Sequence, residues 1–279
     1  FVPTGAALQL SSTVALGVVD FRNPIDVDGA ARTITVNDNT TTFTDYAVLS
    51  GVISNSGGSP AGLAKAGSGV LVLAGANTYD GTTTVSAGQL MVASLGQSGA
   101  AGSSALGATL GAHLDASALL LGNGGTGAGI LHYVGQGEVT DRKVRLNTTT
   151  GSTEIHASGA GPLVLTNLAN DLVGGAKSLY LRGSNAGGNA VTGVLADNGG
   201  ALAVVIDGAA SWILDNPLNT LTGNITANGG ALGVGADAAL GTGGLVLGSA
   251  SVFAFGGDRV LANIPQISNN TGVAFVGDH

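Results

Sequence analysis

The densest group of side chains able to move protons or hold charge is Glu138, Asp141, Arg142, Lys143 and Arg145, with Glu154 and His156 close behind. Two carboxylates facing each other across a cleft can cleave a glycosidic bond, and an Arg base beside calcium-binding acids can act on an acidic sugar. Two features argue against chemistry here. Lys143 and Arg145 alternate with Val144 and Leu146, as residues on an outward strand face do. The pair Asp141-Arg142 also recurs as Asp258-Arg259 without the rest of the cluster. A repeated pair reads as a contact that steadies a corner, a surface ion pair worth at most about 1 kcal/mol. The chain is not expected to be an enzyme.

Two short segments, Asp26-Val27-Asp28-Gly29 and Asn37-Asp38-Asn39, place oxygen ligands at alternate positions, which makes Asp26, Asp28 and Asp38 candidates for calcium. The bidentate Glu that closes an EF-hand loop is missing, as is the glycine–aspartate nonapeptide series of calcium-binding rolls. Asx-turns between strands account for both segments equally well. Lys65, followed by Gly67 and Gly69, lacks the phosphate-loop order GxxxxGK[ST] and reads as a turn at a corner. His113, His132, His156 and His279 show no metal-binding spacing, and no Gly-x-Ser-x-Gly elbow occurs; all four read as surface or turn residues. No cofactor other than calcium is in view.

The elements that must carry these residues are short. Runs such as Thr33-Ile34-Thr35-Val36, Val70-Leu71-Val72-Leu73 and Leu163-Val164-Leu165 are separated throughout by clusters of Gly, Asn, Asp and Ser, the pattern of strands and tight turns. No Gly-free window of helical length carries a helical apolar stripe. The 279 residues include 49 Gly and no Cys, with 4% aromatic and 9% charged, against a usual charged share of about 25%. Disulfide scaffolds and Cys-ligated metals are excluded, and a hydrophobic share of 44% argues against disorder. The net charge of -8 makes nucleic acid a poor partner and anionic lipid a repelling one. No apolar run is long enough to span a membrane as a helix.

The strands repeat. Gly51-Val52-Ile53 returns as Gly193-Val194-Leu195; Asn77 and Gly81 return as Asn219 and Gly223. Gly88-Gln89-Leu90 is matched by Gly230-Ala231-Leu232, and Ala105-Leu106-Gly107 by Ala239-Leu240-Gly241. This divides the chain into units of approximately 51–192 and 193–279, the second incomplete, within one continuous domain over 1–279. Stacked coils of this kind bury a core that no single coil can bury alone. At about 20–24 residues per coil, the chain makes roughly a dozen coils and a rod on the order of 60 Å long.

Residues 62–90 go further. Their Lys65, Gly67, Gly69, Leu71, Leu73, Gly75, Asn77, Tyr79, Gly81, Val85, Gly88 and Leu90 fit the pattern L-x-K-x-G-x-G-x-L-x-L-x-G-x-N-T-Y-x-G-x-T-x-V-x-x-G-x-L. The segment resembles the autotransporter-associated β-strand repeat. In the second unit Leu221 stands in place of Tyr79, and Ile206 or Asp207 in place of Lys65. The resemblance implies an all-β, right-handed parallel β-helix in a secreted or cell-surface bacterial protein, acting as passenger, adhesin or structural element. It fixes no biochemical activity.

The start at Phe1 without Met suggests a mature product or an excerpt. Phe1 and Val273-Ala274-Phe275-Val276 read as interior strands, so further coils of the same chain, or a second copy, are expected to stack on both ends. A fibre or filament would follow. The alternatives are an adhesin that binds a host protein or surface glycan, and, third, a polysaccharide-degrading β-helix. The 93–129 stretch, rich in Gly, Ala and Ser, lacks the aromatics and charges of a large recognition loop.

Overall fold

Inward aliphatic residues alternate with small or polar outward ones, and the chain turns them into strands of two to seven residues. The computed structural model describes residues 7–42, 44–97, 103–108, 115–268 and 272–277. Phe1, His113 and His279 lie outside the described residues, as do parts of the 93–129 stretch. Among the described residues there is no helix, and the strands of every sheet pair in parallel. The chain is an all-β protein wound as a parallel β-helix.

Three sheets run along it. A seven-stranded sheet begins at Ala7–Ser11 and Arg32–Val36 and ends at Leu168–Ala169. A long sheet of 11 strands runs from Val19–Phe21 to Pro265–Ile267. A third, again of seven strands, begins at Gln136–Thr140 and ends at Ala274–Val276. The strands Ile25–Asp26 and Ile53–Ser54 form a small fourth sheet. One turn of the coil takes 19 residues from Val70 to Gln89 and 20 from Leu245 to Pro265, but 41 from Gln89 to Ile130.

The core is a set of ladders. On the long sheet Leu71, Leu90, Leu131, Ile155, Leu181, Ile206, Ala227 and Leu247 stack in register, each at most 1% exposed. Burying each large rung contributes about 1.5–3 kcal/mol. Ile267, the last rung of the ladder among the described residues, pairs with Leu247 and is 67% exposed. Val260, Ile264 and Phe275 are exposed at the same end. Corners stack as closely as strands do. Gly88 adopts φ 66°, and a Cβ there would lie 2.6 Å from the carbonyl oxygens of both Gly67 and Gly69 in the coil before.

The two sequence units do not occupy the same sheets. Thr83–Val85 lies in the first sheet, whereas the matching Ile225–Ala227 lies in the long sheet. Gln89–Val92 lies in the long sheet, and its counterpart Ala231–Val234 in the third. Every strand of the motif moves on by one sheet between copies. The long sheet runs uninterrupted across residue 193, from Lys177–Gly183 to Leu202–Ile206.

Candidate functional sites

The charge cluster around residue 140 is dispersed by the alternation of the strands. Both oxygens of Glu138 are taken by backbone, accepting from the N–H groups of Leu95 (2.8 Å) and Gly96 (2.7 Å). Arg142 points inward with Val144 and Leu146 and is 1% exposed. Its Nε donates to the carbonyl of Leu95, Nη1 to Ser117 (2.6 Å) and Nη2 to Gly107 (3.0 Å). A surface ion pair at a corner is therefore the wrong description. Arg142 is a buried fork that ties three passes of the longest turn together, its fixed donor geometry matching three carbonyls. Arg259 also bonds to carbonyls, those of Val234, Asp258 and Phe255.

Lys143 and Arg145 do face outward, where they interleave with Asp115 and Asp171 at 2.7–3.5 Å. The Lys143 hydrogen bond comes first among the influences that hold the Asp115 carboxyl below its usual range. Glu154 and His156 lie on another sheet altogether. Glu154 bonds to His156 (2.8 Å) and to Arg182 (2.8 Å), and the His156 bond does most to lower its pKa. His132 and His156 are rungs of one ladder, their rings 5.6 Å apart and edge-on, although their sequence spacing carried no signal. What the two share is position, each directly following an inward aliphatic residue, Leu131 or Ile155.

Of the calcium candidates, Asp26 has its carboxylate taken up by the turn that holds it. Asp26 accepts from the N–H groups of Asp28 (3.0 Å) and Ser56 (3.0 Å) and from the Ser56 hydroxyl, which lowers its pKa most. Asp28 sits at φ 48° within the same turn. Asp38 lies in the following loop, its N–H bonded to Ser68 Oγ at 3.2 Å. Among the described residues no three His, Asp or Glu side chains come together as metal ligands.

The repeat residues fill the interior and the corners. Asn77 Oδ1 accepts from the Ile53 N–H (2.8 Å), and its amide donates to the Ala105 carbonyl (2.7 Å). Asn219 makes the same two bonds, with Leu195 (2.8 Å) and Ala239 (2.7 Å). Tyr79 and Leu221 are both fully buried, packed against Gly107 (φ 78°) and Gly241 (φ 62°). Ile206 rather than Asp207 occupies the place of Lys65: Lys65 pairs with Val85, and Ile206 with the matching Ala227. Lys65 is 1% exposed, and its ammonium caps a corner by donating to Ala66 (3.0 Å), Gly67 (2.7 Å) and Ala87 (3.1 Å).

Burial lowers the Lys65 pKa from 10.5 to about 8. The unfolded chain keeps the higher value, so between about pH 8 and 10.5 it binds more protons than the folded chain and stability rises with pH. In equilibrium denaturation at about pH 7.5 and pH 10, the wild type should gain more stability than Lys65→Met, which has no ammonium to titrate. An equal gain in both would show that Lys65 is not the group responsible.

The comparisons with known proteins bear on this parallel β-helix and on the coil that carries the inward Lys65 and the Asn77 corner. Residues 63–92 match the passenger-associated-transport-repeat, so the resemblance to autotransporter-associated repeats holds over the coil that carries the motif. A curated relative, the Adhesin BmaC autotransporter of Brucella suis biovar 1 (strain 1330), is 31% identical over 194 residues. The alignment takes in 61% of this chain, which spans only 5% of that relative's length. No solved structure matches the chain.

Proposed function

We propose that the chain is a section of a bacterial cell-surface passenger, a non-enzymatic rod whose role comes from length, rigidity and display. The observation that carries this reading is a passenger-type repeat set within a coil of parallel sheets. The uncovered strands Pro265–Ile267 and Ala274–Val276 support a rod that continues, since an open sheet edge with exposed apolar rungs invites another strand. The dispersal of Glu138 and Asp141 from Glu154 argues against a glycan-cleaving cleft. Adhesion is the second reading, favoured by the relative that is named an adhesin.

The test uses intact cells of the source organism. Antibody raised to this chain should label the cell surface, and external protease should remove the epitope while a periplasmic marker survives. Protection of the epitope until the outer membrane is breached would overturn the proposal. Stacking is tested on the 279-residue chain by negative-stain microscopy with small-angle scattering. Filaments that shorten in Ile264→Asp and Ile267→Asp variants are expected, and discrete monomers at every concentration would remove the stacking element.

A further inference from the structure

Of the four tyrosines, Tyr79 and Tyr133 are buried in the core. The other two are on the outward side of the long sheet: Tyr180 lies within its strand Lys177–Gly183, and Tyr46 immediately precedes its strand Ala47–Leu49. Tyr46 borders a cavity of about 470 Å³ whose floor is apolar, including Val72 and Met91. On its other side it shares with Val70 a smaller cavity of about 240 Å³, lined by Asp38, Thr40 and Thr42. Tyr180 lines a shallow cavity of about 490 Å³ floored by Gly, Ala and Ser, and the Arg182 guanidinium lies over its ring at 4.6 Å. The two tyrosines are five strands apart along the sheet, about 24 Å at the strand spacing of a sheet.

Between them the face is neither bare nor uniformly apolar. Val72, Met91 and His132 are consecutive rungs of one ladder, and Glu154 follows beside it. Gln89 Nε2 donates to His132 Nδ1 at 2.8 Å, leaving His132 Nε2 buried and unpaired among the described residues. The polar group that reaches the outer face between the tyrosines is the Glu154 carboxylate, 17% exposed and bonded to His156 and Arg182.

We propose that this face, from Tyr46 to Tyr180, is a docking track for an uncharged linear glycan lying along the rod axis. The proposal rests on the surface-passenger reading and adds the class of partner. A sugar ring offers a C–H face that packs on an aromatic ring and an edge of hydroxyls that takes side-chain hydrogen bonds. Tyrosines beside shallow floors at both ends, with the Glu154 carboxylate between them, present the complement of that pattern. At the Tyr46 end charge disfavours an acidic glycan, because Asp38 and Asp45 line the cavity beside Tyr46 and the chain carries a net charge of -8. A protein partner would need one contiguous apolar centre, and here polar groups divide the apolar floor from Tyr180.

The experiment presents the 279-residue chain with immobilised cellohexaose, mannohexaose, laminarihexaose and chitohexaose, their disaccharides, and hexagalacturonate. At least one neutral hexasaccharide should bind, about tenfold or more tighter than its disaccharide, because only the longer chain reaches both tyrosines. Tyr46→Ala and Tyr180→Ala should each weaken that binding by about tenfold, the worth of one aromatic contact, with unchanged melting temperature. Leu218→Ser, an exposed change remote from the track, should bind as the wild type does. The proposal is overturned if no neutral hexasaccharide binds, if hexagalacturonate binds as well as the neutral chains, or if the tyrosine variants bind normally. A chain that is on the cell surface but binds no neutral glycan removes this inference alone. A chain protected from external protease removes the surface reading whatever it binds.

Discussion

Arg142→Met should lower the stability of the folded chain by about 4 kcal/mol or more, since three carbonyls lose a charged donor and stay buried. The long turn between Gln89 and Ile130 is where the coil takes 41 residues instead of about 20, and its passes at Leu95, Gly107 and Ser117 meet at this one guanidinium. Methionine fills much of the volume but donates nothing, so the loss is one of hydrogen bonding more than of packing. Arg142→Lys should fall between the two, because an ammonium keeps the charge but not the planar fork. Equilibrium denaturation gives the size of the effect and hydrogen exchange gives its place: amides at Gly96 and Gly107 should lose protection first. Full stability in Arg142→Met would mean that the fork is incidental to the turn.

The second large effect is expected at the corner asparagines. Asn77→Ala and Asn219→Ala should each cost about 3 kcal/mol, because each orphans one N–H and one carbonyl inside the coil. The two costs should be similar, since the bonds to Ile53 and Ala105 are repeated with Leu195 and Ala239 at distances of 2.7–2.8 Å. Asn77→Asp should be worse than Asn77→Ala near neutral pH, for a carboxylate keeps the acceptor but turns a second oxygen toward the Ala105 carbonyl. Thermal and denaturant unfolding of the three variants decides this. Equal stability of Asn77→Asp and wild type would remove the two-bond account of the corner.

Much of this architecture was legible because alternation is a local property. Leu71 and Leu73 point inward for the same reason that Lys143 and Arg145 point outward: each strand has only two faces. The same parity puts Arg142 inside with Val144 and Leu146, although its charge by itself favours the surface. Arg32 and Lys177 are likewise inward-parity bases, 1% and 4% exposed. A base at an inward position in a coil rich in carbonyls at its corners has acceptors within reach, which is why Lys65 belongs to the repeat motif. What the spacing of residues did not reveal is which sheet a strand joins. That depends on the cumulative lengths of the turns, and the long insertion before Ile130 contributes to shifting the later copy relative to the earlier one. The pairing of His132 with His156 and the alignment of Tyr46 with Tyr180 were hidden for that reason, being neighbourhoods of the wound coil rather than of the chain.

The shift of the motif by one sheet between its two copies gives the rod a screw sense of display. A surface feature carried by the motif reappears farther along the axis at a new azimuth, a third of the way around. If later copies keep the same step, only every third one returns to the first bearing, as treads do on a spiral staircase. A flat partner lying against one side would then engage copies three apart, and its avidity would depend on bridging that longer interval. A partner free to wrap around the shaft would meet every copy in turn.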